Sequence, residues 1–274
     1  MPTIAGASRD ESARLLGERA ARGDRGALDG TFPAEFKYFT VFVLTCMLAL
    51  CGVVIWRAEH PPKTPTFDEY MQRALDLYKQ RGGKTYDHLL RNTCDTHVYL
   101  LRHADKGREH VHLSARGFQR AQHLTRIFCS AHDVAARKGE CRFIAPDVVF
   151  ARKAEFPRYV LRSIETVTPL AQQLNLTVES QYSAMLQWSL VVRVLGEIAS
   201  FQHCGRAVLV CWKHSLLPAI QEQFGCGTKL QKACERVTWH KKDFDTVLDL
   251  HYAHRAPHGW ELGMQRKRQH FIDE

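Results

Sequence analysis

The feature that most constrains this chain is an uncharged, apolar run of 19 residues, 38–56. As an α-helix this run rises about 28 Å, close to the roughly 30 Å hydrocarbon thickness of a bilayer. Lys37 and Arg57 bracket it, and aromatic residues occupy its first and last positions, as is common at membrane interfaces. A core helix would keep a polar face, and a signal peptide would be followed by a small-residue cleavage site. The run therefore predicts a single transmembrane helix.

The rest of the chain divides around this run. Residues 1–37 contain six basic and six acidic side chains and predict a polar, disordered tail. Residues 57–66 include three prolines and predict a short stalk, and residues 67–274 predict one folded domain. The formal net charge of +9 therefore belongs to the part after the run, where the basic residues are scattered. We expect residues 38–56 to contact a lipid bilayer, and we do not expect the protein to bind nucleic acid.

Charges near the apolar run indicate its orientation. Four basic residues lie within about twenty positions before it and three lie within that distance after it. This favours a cytoplasmic amino terminus and a lumenal or extracellular domain. Residues 175–177 (NLT) form a glycosylation sequon on the same side. Seven cysteines also lie outside the run, and in an oxidising compartment some would pair with one left over. They are Cys94, Cys129, Cys141, Cys204, Cys211, Cys226 and Cys234.

Beyond the stalk, segments with helical periodicity alternate with short apolar runs that are typical of strands. The predicted helices are 67–81, 114–129, 161–174, 190–201 and 216–224. The predicted strands are 97–102, 147–150, 176–178, 207–212 and 246–250. This alternation predicts an α/β domain, a three-layer sandwich with a mostly parallel central sheet and helices on both faces.

Charged and imidazole side chains follow the most apolar strands. The first strand runs directly into Arg102 and His103, and the strand 207–212 is followed by His214. Arg162 opens the helix after the strand 147–150. Because the carboxyl ends of parallel strands meet at one edge of an open sheet, we expect these four side chains to converge. Two arginines and two histidines make a positive pocket suited to a phosphate group.

Short motifs along the chain carry a family resemblance. They are LRHADK at 101–106, LSARGFQRA at 113–121, RSIET at 162–166, the histidine at 214 and WHKKDFDTV at 239–247. In this order they resemble the small-branch type of the histidine phosphatase (phosphoglycerate mutase-like) superfamily over roughly residues 95–252. The resemblance implies that His103 is a nucleophile that forms a phosphohistidine. It also implies that Arg102, Arg162 and His214 bind the phosphoryl oxygens, with no metal ion and no cofactor.

The proton donor for the leaving group is where this chain departs from the family pattern. One branch has an aspartate directly after the second histidine, where this chain has Ser215. The other branch has an acid after the second-arginine helix, where Glu179 is the best match and is taken as the catalytic acid. Asp105 and Glu109 are the alternatives. The usual glycine after the Arg-His pair is Ala104 here.

The resemblance implies a membrane-anchored phosphatase that hydrolyses a phosphomonoester on a small molecule, a glycan or a protein. A mutase is less well supported, because no phosphoglycerate pocket can be identified in the sequence. Two alternatives stay open. One is a catalytically weak or inactive phosphate-binding or scaffold protein. The other is a secretory-pathway phosphatase that acts on phosphorylated glycans, for which glycosylation at Asn175 would support the topology.

Overall fold

A computed structural model describes residues 34–59, 65–84, 93–232 and 234–272. The chain divides into two compact units, Met1–Pro62 and Lys63–Glu274. Most of the predicted disordered tail and residues 60–64 of the predicted stalk lie outside the described residues.

The first unit contains one long helix, α1 (Ala34–Glu59). It begins four residues before the end of the predicted tail. Its segment Tyr38–Arg57 has a mean hydropathy of 2.5 and is long and apolar enough to cross a membrane. Its apolar side chains are exposed on all sides, with Leu48 at 65% and Val54 at 67%. A helix with no polar face has no stable place on the surface of a water-soluble domain.

The second unit is an α/β domain built on a six-stranded sheet with the order β5-β4-β6-β1-β7-β8. The strands are β1 (Thr93–Arg102), β2 (Phe128–Cys129), β3 (Phe143–Ile144), β4 (Pro146–Ala151), β5 (Val178–Glu179), β6 (Arg206–Trp212), β7 (Thr246–Arg255) and β8 (Gly259–Arg268). The helices are α2 (Phe67–Gln80), α3 (Ala115–Ile127), α4 (Ala131–Ala135), α5 (Arg162–Gln173), α6 (Gln187–Ala199) and α7 (Leu217–Gln223). Strands β5, β4, β6 and β1 pair in parallel, whereas β7 and β8 are antiparallel to their neighbours. Strands β2 and β3 form a separate parallel pair.

Helices cover both faces of the sheet, which confirms the predicted three-layer arrangement. Because side chains alternate along a strand, Val98 and Leu100 point to one face, and Tyr99 and Leu101 point to the other. The first pair packs in a core with residues of α2, α6 and α7. The second pair packs in a core with residues of α3 and α5. Because both faces of β1 are buried, its sequence contains a continuous apolar run.

The carboxy-terminal hairpin is the largest difference from the expected fold. The last predicted strand, 246–250, extends to Arg255 and is followed by β8, which was not predicted. The apolar residues of β8 alternate with polar ones at Trp260, Leu262 and Met264, just after a Pro-His-Gly turn. This period of two is the signal for a half-buried strand, but it covers only three apolar positions before the polar run 265–268 (QRKR) masks it.

Six of the seven cysteines of this unit pair. The disulfides join Cys94 to Cys204, Cys129 to Cys141 and Cys226 to Cys234. Cys211 stays a thiol, fully buried in β6, where burial raises its pKa. Three disulfides in one domain are characteristic of proteins that fold in an oxidising compartment.

A buried imidazole with two carboxylate partners links α6 to the sheet. The Nε2 atom of His203 lies 3.0 Å from Glu197 Oε2, and its Nδ1 atom lies 3.0 Å from Asp147 Oδ2. A carboxylate accepts hydrogen bonds, so this arrangement favours the ring with both nitrogens protonated. Burial alone would lower the pKa of His203, but the hydrogen bonds that the ring donates to Asp147 and Glu197 outweigh burial and raise the pKa to about 9.

We expect this charged ring to make stability pH-dependent. Its pKa is higher in the folded than in the unfolded state, so its contribution is full below about pH 6.5 and is lost as the pH rises through about 9. His203→Gln should lower the free energy of unfolding by about 3 kcal/mol at pH 6, and by much less at pH 10. Denaturant unfolding of both proteins at the two pH values measures this, with the exposed His132→Gln as control. A difference that does not change with pH would contradict the charged state of His203.

Candidate active site

Four residues that the sequence analysis selected lie around one edge of the sheet. Strands β1 and β6 are parallel neighbours, and their last residues, Arg102 and Trp212, pair directly. The N–H of His103 donates to the carbonyl of Trp212 at 3.2 Å, and His214 follows two residues after that strand. Arg162 is the first residue of α5. The charges of Arg102, Arg162 and His214 all act on the His103 ring, so the four side chains form one cluster.

The His103 ring is buried and is held in one tautomer. Its Nδ1 lies 2.8 Å from the carbonyl oxygen of Ala104. A carbonyl only accepts, so Nδ1 carries the hydrogen and Nε2 keeps a free lone pair. Burial lowers the pKa of His103 to about 3, and the positive charges of Arg162 and Arg102 act in the same direction. The ring is therefore neutral at physiological pH, as a nitrogen nucleophile requires.

Arg102 is fixed by the segment just before β7. Its Nη1 donates to the carbonyl of Lys241 at 2.5 Å and to that of Asp243 at 3.3 Å. Its guanidinium carbon lies 3.8 Å from the centre of the Phe244 ring, a cation–π contact. Burial and the neighbouring Arg162 lower the pKa of Arg102 to about 10, so it stays charged.

Arg162 is placed by its own helix. The Thr166 hydroxyl donates to the carbonyl of Arg162 at 2.7 Å and accepts from the N–H of Ala104 at 2.8 Å. This one hydroxyl therefore links the start of α5 to the loop that carries His103. Within the described residues, the Arg162 guanidinium has neither a hydrogen bond nor an ion pair, and its Nε is buried. Burial and the charge of Arg152 lower its pKa.

His214 lies among cations. Burial and the charges of Arg102, Lys213, Lys241 and Arg162 lower its pKa. Its Nδ1 is buried and has no hydrogen-bond partner in the described part of the chain. A neutral histidine among several cations can donate one hydrogen bond to an anion without adding a further charge.

Sequence reasoning missed Arg152 as a member of this group. It directly follows the apolar strand β4, and its N–H donates to the carbonyl of Cys211 in β6 at 3.2 Å. Its charge acts on Arg162, and its Nε is also buried without a described partner. The signal was present, because Arg152 stands at a strand end just as Arg102 does. Phe244 was also missed as a stacking partner, and the sequence has no local pattern that reveals such a contact.

Burying several arginines with few carboxylates is unfavourable unless an anion compensates their charge. Within this cluster, four buried nitrogens have no hydrogen-bond partner among the described residues: Nε of Arg102, Arg152 and Arg162 and Nδ1 of His214. The amino-terminal end of α5 adds the positive end of a helix dipole. This donor set fits a tetrahedral oxyanion such as a phosphoryl group. No group of three metal-ligating side chains occurs among the described residues.

The predicted catalytic acid lies away from this cluster. Glu179 forms a two-bond ion pair with Arg193, including Nη2 to Oε1 at 2.9 Å. Across the sheet, Glu179 of β5 pairs with Phe150 of β4, Phe150 pairs with Val210 of β6, and Val210 pairs with Leu100 of β1. Three strand spacings, about 14 Å in all, therefore separate Glu179 from β1. An ion-paired carboxylate on the edge strand is poorly placed to protonate a leaving group bound at His103.

The two alternative acids differ in position. Asp105 is close enough to act on Arg102, but its Oδ2 accepts from Arg120 Nε at 2.8 Å. Gly117 holds this loop against α3, since a Cβ there would lie 2.2 Å from the carbonyl oxygen of Asp105. Glu109 is exposed, and no described contact joins it to the cluster. Neither residue has the position of an obvious proton donor.

Comparison with known proteins gives distant structural matches only. No protein-family model and no curated protein matches the chain. A protein assigned as the phosphohistidine phosphatase SixA from Nakamurella multipartitia is 18% identical, with a TM-score of 0.33; the match covers 62% of this chain and 95% of that one. A protein assigned as an alpha-ribazole-5'-P phosphatase from Escherichia coli K-12 is 13% identical, with a TM-score of 0.39; this match covers 65% and 99%. Matches this distant carry no argument about the chemistry of this chain.

We expect the cluster to bind orthophosphate without added metal. Arg162→Ala should weaken this binding by at least about 10-fold, because it removes a buried, charged hydrogen-bond donor. Titration calorimetry of the full-length protein in detergent measures the affinity. Arg142→Ala, which removes an exposed arginine far from β1's carboxyl end, is the matched control. Equal phosphate affinity in the Arg162 variant and the wild type would contradict the assignment of this cluster as an anion site.

Proposed function

We propose that this protein is a membrane-anchored phosphatase that hydrolyses a phosphomonoester through a phosphohistidine at His103. The observation that carries the proposal is a buried, neutral histidine with its Nδ1 hydrogen fixed by Ala104 and with three cationic or polar donors around it, Arg102, Arg162 and His214. A neutral nitrogen with a free lone pair is a nucleophile, and the donors stabilise the charge that develops on the phosphoryl oxygens.

In the first step, Nε2 of His103 attacks phosphorus and the bond from phosphorus to the ester oxygen breaks. The alcohol leaves with a proton from a general acid, and the phosphoryl group stays on His103. Arg102, Arg162 and His214 hold its three remaining oxygens. The Nδ1 hydrogen stays on the ring, where the Ala104 carbonyl stabilises the positive charge of the phosphorylated imidazole.

In the second step, water attacks the phosphohistidine and the bond from phosphorus to nitrogen breaks. The acid of the first step, now a carboxylate, takes the proton of the attacking water. Orthophosphate leaves, and His103 returns to its neutral form. The positive charge of the surrounding arginines favours this cycle without a metal ion, since they neutralise the phosphoryl charge.

We infer that Glu155, not Glu179, supplies the proton. Glu155 lies in the loop that joins β4 to α5, between Arg152 and Arg162. Its Oε2 is 3.4 Å from Arg152 Nη2 and 3.3 Å from the N–H of Ala184. Arg152 in turn acts on Arg162, so this partly exposed carboxylate is linked to the cluster through Arg152. In an in-line displacement the leaving group lies opposite the attacking nitrogen, and we propose that Glu155 protonates it from that side.

We propose that α1 anchors the enzyme in a bilayer, with the amino terminus in the cytoplasm and the second unit in the lumen or outside the cell. Support comes from the three disulfides and from Asn175, the exposed first residue of the sequon. Only a lumenal or extracellular face receives N-glycans. A glycosidase-sensitive mobility shift that disappears in Asn175→Gln therefore tests the orientation.

The proposal predicts an acid-labile phosphoenzyme. Brief incubation with an aryl phosphate, followed by quenching, should trap phosphate on the wild type. His103→Ala should abolish the trapped phosphate and slow turnover by at least about 1,000-fold. His103→Asn, whose side chain can still contact the Ala104 carbonyl, guards against a folding artefact. The exposed His132→Ala should keep full activity. Phosphate binding without a phosphoenzyme would favour the alternative of an inactive phosphate-binding protein.

The dependence of the hydrolysis rate on the leaving group identifies the acid. Glu155→Gln should slow hydrolysis of an alkyl phosphate by about 100-fold and leave hydrolysis of a nitrophenyl phosphate nearly unchanged, since nitrophenolate leaves without a proton. Glu179→Gln should affect both substrates equally and only slightly. If the Glu179 variant shows the selective loss instead, the expectation from the sequence was right and the assignment to Glu155 is wrong.

A further inference from the structure

The second unit has a concentrated patch of exposed apolar side chains. Among its described residues, seven large apolar side chains are exposed, and five of them belong to two segments, the loop between β4 and α5 and the loop that leads into the first turn of α6. We call these five the apolar collar: Phe156 (81% exposed), Tyr159 (58%), Met185 (93%), Leu186 (52%) and Trp188 (42%). Single exposed apolar residues are ordinary, but a contiguous group indicates a surface that contacts an apolar partner.

The two loops of the collar are joined to each other. Glu155 of the first loop accepts a hydrogen bond from the N–H of Ala184 in the second, at 3.3 Å. The N–H of Lys153 donates to the carbonyl of Tyr182 at 2.8 Å. Within the first loop, the rings of Phe156 and Tyr159 lie 6.4 Å apart, edge to face. The collar is therefore one surface held by described contacts.

The collar borders the cationic cluster. Its first loop runs from Arg152, whose charge acts on Arg162, to Arg162 itself at the start of α5. Glu155 is at once the link between the loops and the carboxylate that contacts Arg152. A ligand with its phosphate at His103 and its ester oxygen near Glu155 would therefore extend its organic part over the collar.

The composition of the collar matches a membrane interface. Aromatic residues and leucine with flanking basic side chains are the pattern of surfaces that dip into the headgroup region. Lys153 and Arg158 are exposed on the first loop and can extend their charged ends to the phosphates of a bilayer. In addition, α1 is long and apolar enough to cross a membrane, and only the seven residues 60–66 lie between it and α2 in the sequence.

We propose that the apolar collar is a membrane-contact surface and that the substrate is a lipid phosphomonoester. Its phosphate enters the cluster, its ester oxygen meets Glu155, and its hydrocarbon chains stay in the bilayer beneath the collar. This rests on the proposed phosphatase activity and names its substrate class. The group transfer is the one given above, and the leaving alcohol is a diacylglycerol or another long-chain alcohol that remains in the membrane.

The test uses the full-length protein in phosphatidylcholine vesicles and two substrates with the same phosphoester. One is a diacylglycerol phosphate in the vesicles, and the other is water-soluble glycerol 3-phosphate. We expect the lipid to be hydrolysed at least 100-fold more efficiently. Phe156→Ser with Trp188→Ser should reduce the lipid rate at least 10-fold and leave the soluble rate unchanged. Phe118→Ser with Ile272→Ser, which removes the two exposed apolar side chains outside the collar, should change neither rate.

A second readout does not depend on activity. Brominated phosphatidylcholine quenches tryptophan fluorescence only on contact, so we expect it to quench a wild-type component that Trp188→Phe lacks. Hydrolysis of glycerol 3-phosphate and the lipid at equal efficiency, with no quenching of Trp188, would overturn the inference and leave the phosphatase intact. Quenching without hydrolysis of either substrate would overturn the phosphatase and the lipid substrate, while the collar would stand as a membrane contact. Quenching with equal efficiencies would overturn the substrate class alone.

Discussion

The parallel pairing of β1 with β6 is the constraint on which the candidate site depends. With Arg102 opposite Trp212, the residues that follow the two strands leave the sheet side by side, and the N–H of His103 bonds back to β6. A shift of one residue would turn every side chain of β1 to the other face. Val98 and Leu100 are buried in one core, and Tyr99 and Leu101 in the other, so such a shift would disrupt both. The same packing that stabilises the domain therefore fixes the position of His103, the proposed nucleophile.

Two buried histidines show how environment decides protonation in this fold. His203 lies between Glu197 and Asp147, and its pKa rises to about 9. His103 lies among Arg102, Arg162 and His214, and its pKa falls to about 3. Burial lowers the pKa of both rings, but only His203 has partners that outweigh it. His203 is therefore suited to stabilise the fold as a cation, and neutral His103 is suited to the proposed role of nucleophile.

The cationic cluster and the apolar collar are complementary halves of one surface. Arg152 and Glu155 connect them, since the first acts on Arg162 and the second joins the two collar loops. An amphiphilic phosphate needs both halves, whereas a soluble sugar phosphate would leave the collar uncovered. The apolar helix α1, which is long and apolar enough to cross a membrane, is consistent with the proposed lipid substrate.

Much of this organisation was readable in the sequence. The uncharged run predicted the long apolar helix α1, and the alternation of apolar periods predicted the three layers, because burial on both faces leaves continuous apolar strands. Arg102, His103 and His214 were selected because they stand at or just after the end of an apolar strand. Arg162 was selected because it opens the helix after the strand 147–150. The hairpin strand β8 escaped, because charged residues interrupt its alternation.

Tertiary structure alone decided what depends on distance between remote segments. The disulfide partners, the stacking of Arg102 on Phe244 and the ion pair of Glu179 with Arg193 all join segments that no local pattern relates. The position of Glu179 belongs to this group, because sequence order puts it after the second-arginine helix while the strand order puts it three strands from β1. Sequence determined which side chains stand at strand ends, and only the order of strands in the sheet decided which of those ends meet.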